Sequence, residues 1–205
     1  MDFITHQLLD KESTEVMCES LLNDEESWQD GKTTAGFHAA QVKKNLQLAR
    51  DSKTSQELSE QVIERIKCDL LLKSYCIPRH FHSLMFTRTG VGQGYGMHVD
   101  NAYMSSGRSD LSFTLFLNNP KNYEGGALII QTLQGSKAIK LQQGQIIIYP
   151  STSLHSVETV SSGERLVCIG WIQSYISSNE DRDILFSLEA GARGLLSEHG
   201  RSSEL

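Results

Sequence analysis

The sequence predicts a mainly β domain, a sandwich or jelly roll with helices packed on its outside, and three observations lead there. From residue 80 onward the chain falls into about eight short runs rich in β-branched and aromatic residues, separated by glycine and asparagine turn signals. Apolar residues at helical spacing lie before residue 75 and after residue 178. Strands and helices do not alternate, as they would in a parallel α/β sheet.

Taken in order, residues 12 to 24 place Val16, Met17, Leu21 and Leu22 on one face behind Glu12, predicting a first helix with one buried stripe. Trp28 leads into a turn at Asp30-Gly31-Lys32. Thr33 to Gly36 and Gln41 to Asn45 carry no strong period and read as loop and short helix. Thr54 with Glu57 is a capping-box pair, and Leu58, Val62, Ile63, Ile66, Leu70 and Leu71 continue an amphipathic helix, the longest expected, to about Lys73. Its apolar stripe needs a sheet face to cover. Pro78 marks the boundary after it. Strands are expected at His82 to Thr89, Met97 to Asp100, Leu111 to Asn118, Ala127 to Thr132, Lys137 to Leu141, Gln145 to Tyr149, His155 to Val160 and Arg165 to Gln173. Gly92, Gly94 and Gly96 read as a flexible run before the second of these. That run lacks the strand-to-helix context of a nucleotide-binding loop. Asn179 is placed to cap a helix from Glu180 to Leu188 with Ile184, Leu185 and Leu188 inward, and Gly191 to Leu205 reads as a fraying tail. The expected organisation is an N-terminal helical region over 1–79, a jelly-roll core over 80–175, and a C-terminal helix and tail over 176–205.

At 205 residues the chain suits one domain with a substantial core. A net charge of −6 supplies no basic surface for nucleic acid or an anionic membrane. No apolar run approaches the roughly 20 residues of a membrane span. Met1 to Asp10 has neither a basic segment nor a long apolar one, so no secretory signal is expected and the location reads as cytoplasmic. Cys18, Cys68, Cys76 and Cys168 are scattered without Cys-x-x-Cys spacing, which suits reduced, packed thiols.

The chemistry centres on Tyr95-Gly96-Met97-His98-Val99-Asp100 and Tyr149-Pro150-Ser151-Thr152-Ser153-Leu154-His155. Successive side chains of an extended backbone alternate faces, so His98 and Asp100 project the same way. His155 lies fifty-five positions beyond Asp100, far enough for intervening strands to fold back and deliver a third ligand. Two imidazoles and one carboxylate with the remaining positions open describe a non-haem Fe(II) oxygenase site. Arg165, ten positions after His155, can meet a carboxylate with paired charge-assisted hydrogen bonds, as the far end of a dicarboxylate co-substrate requires. The metal triad and the arginine together suggest 2-oxoglutarate. The other histidines, His6, His38, His80, His82 and His199, have no such partners and read as surface or structural groups.

These two segments, with Asp30-Gly31-Lys32-Thr33-Thr34-Ala35-Gly36, Ala40-Gln41-Val42-Lys43-Lys44-Asn45, Asp110-Leu111-Ser112-Phe113-Thr114-Leu115-Phe116-Leu117, Tyr123-Glu124-Gly125-Gly126 and Trp171-Ile172-Gln173-Ser174, occur in an order that resembles a known family. It is the PKHD-type (prolyl/lysyl hydroxylase domain) Fe(II)/2-oxoglutarate dioxygenases, close to the bacterial hydroxylases associated with iron uptake. The resemblance covers most of residues 1 to 190. It implies a double-stranded β-helix (jelly roll) and Fe(II) held by His98, Asp100 and His155. It also implies 2-oxoglutarate chelating the iron with its distal carboxylate on Arg165, O2 as oxidant, and L-ascorbate keeping the iron reduced. Tyr95 is expected to hydrogen-bond co-substrate or substrate near the iron, with strand packing as its alternative. Thr114 and Trp171 are expected on strands lining the barrel, Trp171 as packing. Hydroxylation is preferred over halogenation because Asp100 occupies a position that a small residue would leave open for halide. The implied acceptor is a prolyl or lysyl residue in a peptide. A metabolite or siderophore-like small molecule, or a non-catalytic cupin-like metal-binding module, are the alternatives. Two departures stand out: Arg88-Thr89 replaces the Arg-Tyr usual before the His-x-Asp, so a tyrosine that helps hold 2-oxoglutarate is missing, and the tail after about residue 190 is short, which leaves homodimerisation and substrate capping open.

Overall fold

The computed structural model describes residues 1–34 and 43–200, so expectations placed on residues 35–42 and 201–205 lie outside it. In chain order the strands are β1 (Ile4–Gln7), β2 (Trp28–Asp30), β3 (Lys43–Lys44), β4 (Leu46–Leu48), β5 (Pro78–Phe81), β6 (Met85–Thr89), β7 (Gly94–His98), β8 (Tyr103–Met104), β9 (Gly107–Arg108), β10 (Leu111–Phe116), β11 (Tyr123–Glu124), β12 (Leu128–Thr132), β13 (Gly135–Ile139), β14 (Gln145–Pro150), β15 (His155–Val157), β16 (Ser162–Gly163) and β17 (Arg165–Ser174). The helices are α1 (Lys11–Asn23), α2 (Lys53–Cys68), α3 (Leu70–Cys76) and α4 (Asn179–His199).

A large sheet, β1-β14-β10-β17-β6-β4-β2 with β5 also on β17, faces a smaller one, β13-β12-β15-β7-β3. The alternation of side chains sorts the large sheet's two faces. Leu111, Phe113, Leu115, Ile146, Ile148, Leu166, Cys168 and Ile172 share one apolar cluster with Met17, Leu21, Leu58, Val62, Ile66 and Leu72 of the helices. Phe116, Ile147, Tyr149 and Val167 point the other way and join Leu128, Ile130 and Ile139 of the small sheet in a second cluster. This is the predicted mainly β jelly roll with helices outside. Ser112, Thr114, Arg165 and Trp171 fall in phase with the second set, so the central strands turn polar residues towards the small sheet.

The helices depart from expectation in ways that their caps and anchors explain. Asp10 accepts from the Ser13 amide at 2.7 Å and starts α1, whose buried face is Thr14, Met17 and Leu21, while Val16 and Leu22 are exposed. Ser52, rather than Thr54, caps α2, accepting from the Ser55 amide at 3.1 Å. The helix expected to run to Lys73 is two: Asp69 adopts an extended conformation (φ −74°, ψ 120°) and its carboxylate accepts from the Leu72 amide at 2.9 Å, opening α3. Helix α4 has 21 residues and is capped by Ser178, not Asn179. Its inward side is Arg182, Phe186 and Glu189, anchored by buried Arg182, an edge-on contact of Phe186 with Tyr75 at 5.5 Å and a Ser74–Glu189 hydrogen bond. Ile184, Leu185 and Leu188, expected inward, are therefore exposed.

Several strands shift as well. Lys43–Lys44 form a strand where a short helix was expected, Leu46–Leu48 add a strand that was not expected, and β1, β2 and β4 extend the large sheet from a region read as helical. The strand expected over His82 to Thr89 starts later, as β6 at Met85, and the separate β5 precedes it at Pro78–Phe81. Gly94 and Gly96, read as a flexible lead-in, lie inside β7, which ends at His98. A side chain at Gly94 would stand 2.9 Å from the Val157 carbonyl oxygen, so a glycine lets β7 approach β15.

Candidate active site

His98 closes β7, His155 opens β15, and the two are direct partners in the antiparallel ladder. Their ring centroids are 4.2 Å apart. Asp100 lies two residues past the end of β7, yet its carboxylate turns back to both rings, with Oδ1 3.7 Å from His98 Nε2 and Oδ2 3.8 Å from His155 Nε2. One ligand atom from each residue falls within 4.8 Å of the others, a spread that one metal ion can bridge. The two rings are fixed alike: His98 Nδ1 lies 2.8 Å from the Gly96 carbonyl oxygen and His155 Nδ1 2.9 Å from that of Ser153. A carbonyl oxygen only accepts, so each Nδ1 carries the proton and each Nε2 presents its lone pair to the shared point.

Aromatic rings hold both ligands. Tyr95 stacks on His98 with centroids 3.7 Å apart and planes 25° from parallel, and Tyr149 meets the His155 ring edge-on at 5.2 Å. Burial, with a smaller effect of Asp100, pushes the Tyr95 phenol up to about 12. Burial also raises Tyr149, against the opposing effects of a Thr114 hydrogen bond and of Arg165. Tyr149 thus feels both the Asp100 carboxylate and the Arg165 guanidinium, which ties the two ends of the interior together.

Arg165 opens β17 at only 3% exposure. Its guanidinium lies 5.3 Å from the centre of the Phe116 ring, and among the described residues its Nε has no hydrogen-bond partner and it makes no salt bridge with an acid. Burial lowers its pKa, opposed by Tyr123 and Tyr149. A cation buried without a counter-charge is costly, so the arrangement is built for an anion from outside. Tyr123 Oη, near the same arginine, is also buried without a partner. A Cβ on Gly126 would lie 3.1 Å from Tyr123 Cε2 and 3.2 Å from Arg165 Cδ, so this glycine, at φ +65°, leaves room for the ring and the arginine stem together. Thr89, at the departure from the expected Arg-Tyr, is buried and pairs with Arg165 across the ladder.

The structure brings His98, Asp100, His155 and Tyr95 together and buries Arg165 in the same interior. Sequence reasoning missed Tyr123, Tyr149 and Ser112. Tyr123 and Tyr149 belong to segments that carry the family resemblance, and the two-residue phase of β10, β14 and β17 would have placed Tyr149 and Ser112 on the same face as Arg165 and Trp171. The donor set fits Fe(II), since two neutral imidazoles and one carboxylate leave coordination positions free. The unpaired guanidinium and phenol fit a carboxylate.

Comparison with known proteins agrees. The family model of the 2OG-Fe(II) oxygenase superfamily matches residues 84–173, which places the chain's core in that class of enzyme. A PKHD-type hydroxylase of Prochlorococcus marinus (strain MIT 9313) is 68% identical over 205 residues, covering 100% of this chain and 93% of the relative. The chain belongs to the PKHD-type hydroxylases. Among solved structures, a prolyl hydroxylase from Trichoplax adhaerens, in complex with a hypoxia inducible factor peptide fragment, superposes with a TM-score of 0.61 at 16% identity, covering 90% of this chain and 86% of that one. The carbocyclase SnoK from nogalamycin biosynthesis gives 0.62 at 11% identity, covering 84% and 79%. These two share the fold alone, and their different reactions show that the fold does not select the acceptor.

Proposed function

We propose that this hydroxylase binds Fe(II) through His98, Asp100 and His155, anchors the distal carboxylate of 2-oxoglutarate on Arg165, and hydroxylates a prolyl or lysyl residue of a peptide. The observation that carries the co-substrate reading is Arg165, a buried cation with no acidic partner among the described residues. When bound, the metal supplies the coupled chemistry in which O2 oxidises 2-oxoglutarate to succinate and CO2 and the acceptor C–H bond becomes C–OH.

The chain's own residues bind, orient and exclude. Arg165 sets how deep the co-substrate sits, and Tyr123 Oη donates a further hydrogen bond to the same carboxylate, the contribution that Thr89 cannot make. Tyr95, protonated at neutral pH, braces His98 and offers a donor at the metal's edge. Support for a peptide acceptor comes from the family's name, and the structurally similar Trichoplax protein is one that takes a peptide. L-Ascorbate serves as the external reductant. A reducing cytoplasmic setting suits Fe(II) and four free cysteines.

The test offers protein, Fe(II), 2-oxoglutarate and ascorbate a library of proline- and lysine-containing peptides, with free amino acids alongside, and measures succinate and acceptor mass. Peptide-dependent succinate with one added oxygen on proline or lysine, abolished by Asp100→Ala, is expected. Turnover driven only by the free small molecules would overturn the peptide acceptor.

A further inference from the structure

Three serine hydroxyls form an unbroken buried chain ending on Asp100. Ser109 Oγ lies 2.8 Å from Ser151 Oγ, Ser151 Oγ 2.8 Å from Ser112 Oγ, and Ser112 Oγ 2.6 Å from Asp100 Oδ2. The three residues are 6%, 2% and 2% exposed. Their order of donation is fixed by chemistry. An ionised carboxylate only accepts, so Ser112 donates its one proton to Asp100, accepts from Ser151, and Ser151 accepts from Ser109. Every proton therefore points towards Asp100, and each bond polarises the next.

The backbone brings the three together from separate segments. Ser109 follows β9, Ser112 lies in β10 opposite Tyr149 of β14, and Ser151 follows β14, its amide donating to the Asp110 carbonyl oxygen at 3.1 Å. Ser112 sits in a fully buried strand, Leu111–Phe116, where an apolar side chain would fold at less cost in desolvation. Asp100, by contrast, lies beyond the end of its strand, and no ladder fixes its side chain.

We propose that Ser109, Ser151 and Ser112 are positioning residues that engage Asp100 Oδ2 and leave Oδ1 to bind the metal alone. The inference rests on the reading of the triad as the metal site. Oδ2 is also the oxygen nearer His155, so without Ser112 it is free to swing onto the ion. An octahedral ion held by two imidazoles and one carboxylate oxygen keeps three positions open, two for a chelating 2-oxo acid and one for O2. A carboxylate bound through both oxygens would leave two.

The test loads wild type, Ser112→Ala, Ser112→Thr and Ser109→Ala with Co(II). It then measures Co(II) affinity, the visible ligand-field spectrum and calorimetric binding of 2-oxoglutarate without O2. Ser112→Ala should hold Co(II) about as well as wild type but bind 2-oxoglutarate about tenfold more weakly, with an altered ligand-field spectrum before co-substrate is added. Ser112→Thr, which keeps the hydroxyl, should restore both. Ser109→Ala, at the far end of the chain, should show a smaller loss of the same kind, and it decides the matter if Ser112→Ala fails to fold. Unchanged spectrum and co-substrate affinity in Ser112→Ala, or in Ser109→Ala where that variant must decide, would overturn the relay. So would loss of Co(II) affinity in proportion to co-substrate affinity. Failure of wild type itself to bind Co(II) or 2-oxoglutarate would instead sink the underlying reading, and the relay with it.

Discussion

Arg165→Met separates co-substrate binding from stability because methionine retains most of the stem and deletes only the charge. In the free protein the guanidinium gains, among the described residues, no hydrogen bond at Nε and no acidic partner, and it sits at 3% exposure. Replacing a poorly compensated buried charge by an apolar side chain of similar shape is neutral or stabilising. The melting temperature of the metal-free protein should therefore stay within about 3 °C of wild type or rise, since about 1 kcal/mol corresponds to roughly 2–4 °C in a domain of this size. Binding should behave oppositely. Truncating one partner of a buried, hydrogen-bonded charge pair costs about 2–5 kcal/mol, or roughly thirtyfold to several thousandfold in affinity. Thermal melting of the free protein and anaerobic calorimetry with 2-oxoglutarate read the two effects separately, while Fe(II) affinity should stay at the wild-type level. A fall in melting temperature beyond about 8 °C with co-substrate affinity intact would refute the reasoning and make Arg165 a structural residue.

Two further predictions follow from the same interior. Gly126→Ala puts a Cβ 3.0 Å from Val160 Cγ2 and against both Tyr123 and Arg165 at φ +65°, so it should cost about 1–2 kcal/mol in urea unfolding and weaken 2-oxoglutarate binding. Wild-type stability and affinity together would refute the close packing around Gly126. Stability should also fall on the alkaline side. Burial lifts Cys18 from 9.0 to about 11 and Tyr95 from 10.0 to about 12, so the folded state keeps protons that the unfolded chain has released. That contribution is complete below about pH 9 and is lost as pH rises through 11 and 12. The urea midpoint should therefore be lower at pH 10.5 than at pH 8, and an equal or higher midpoint would contradict the burial of these groups.

What could be read in advance follows from how local each signal is. The β10, β14 and β17 strands were legible because each is a run of apolar and β-branched residues bounded by turn residues. His98, Asp100 and His155 were legible because their types and spacing carry the chemistry. For Asp100 the expected strand runs to residue 100, whereas β7 stops at His98 and the carboxylate turns back from the following segment. The break at Asp69 was hidden because both sides have helical composition, and only a side chain competing for a backbone amide divides them. The outward face of α4 was misjudged because Arg182, a charged residue, is one of its buried anchors. Hydropathy cannot anticipate a guanidinium satisfied by the carbonyl oxygens of Ile176 and Ser177. The Tyr123–Arg165 and Ser112–Asp100 approaches depend on which strands become neighbours, and that order is a property of the whole sheet.

Whether the triad and Arg165 form one site for iron and 2-oxoglutarate is decided by an anaerobic titration of the purified protein with Fe(II) and 2-oxoglutarate, followed through the weak visible charge-transfer absorption of the chelate. The band should grow to one equivalent of metal, disappear in His155→Ala, and in Arg165→Met require far more 2-oxoglutarate to reach the same height. Tight Fe(II) binding with no band at any 2-oxoglutarate concentration would rule out a single shared site.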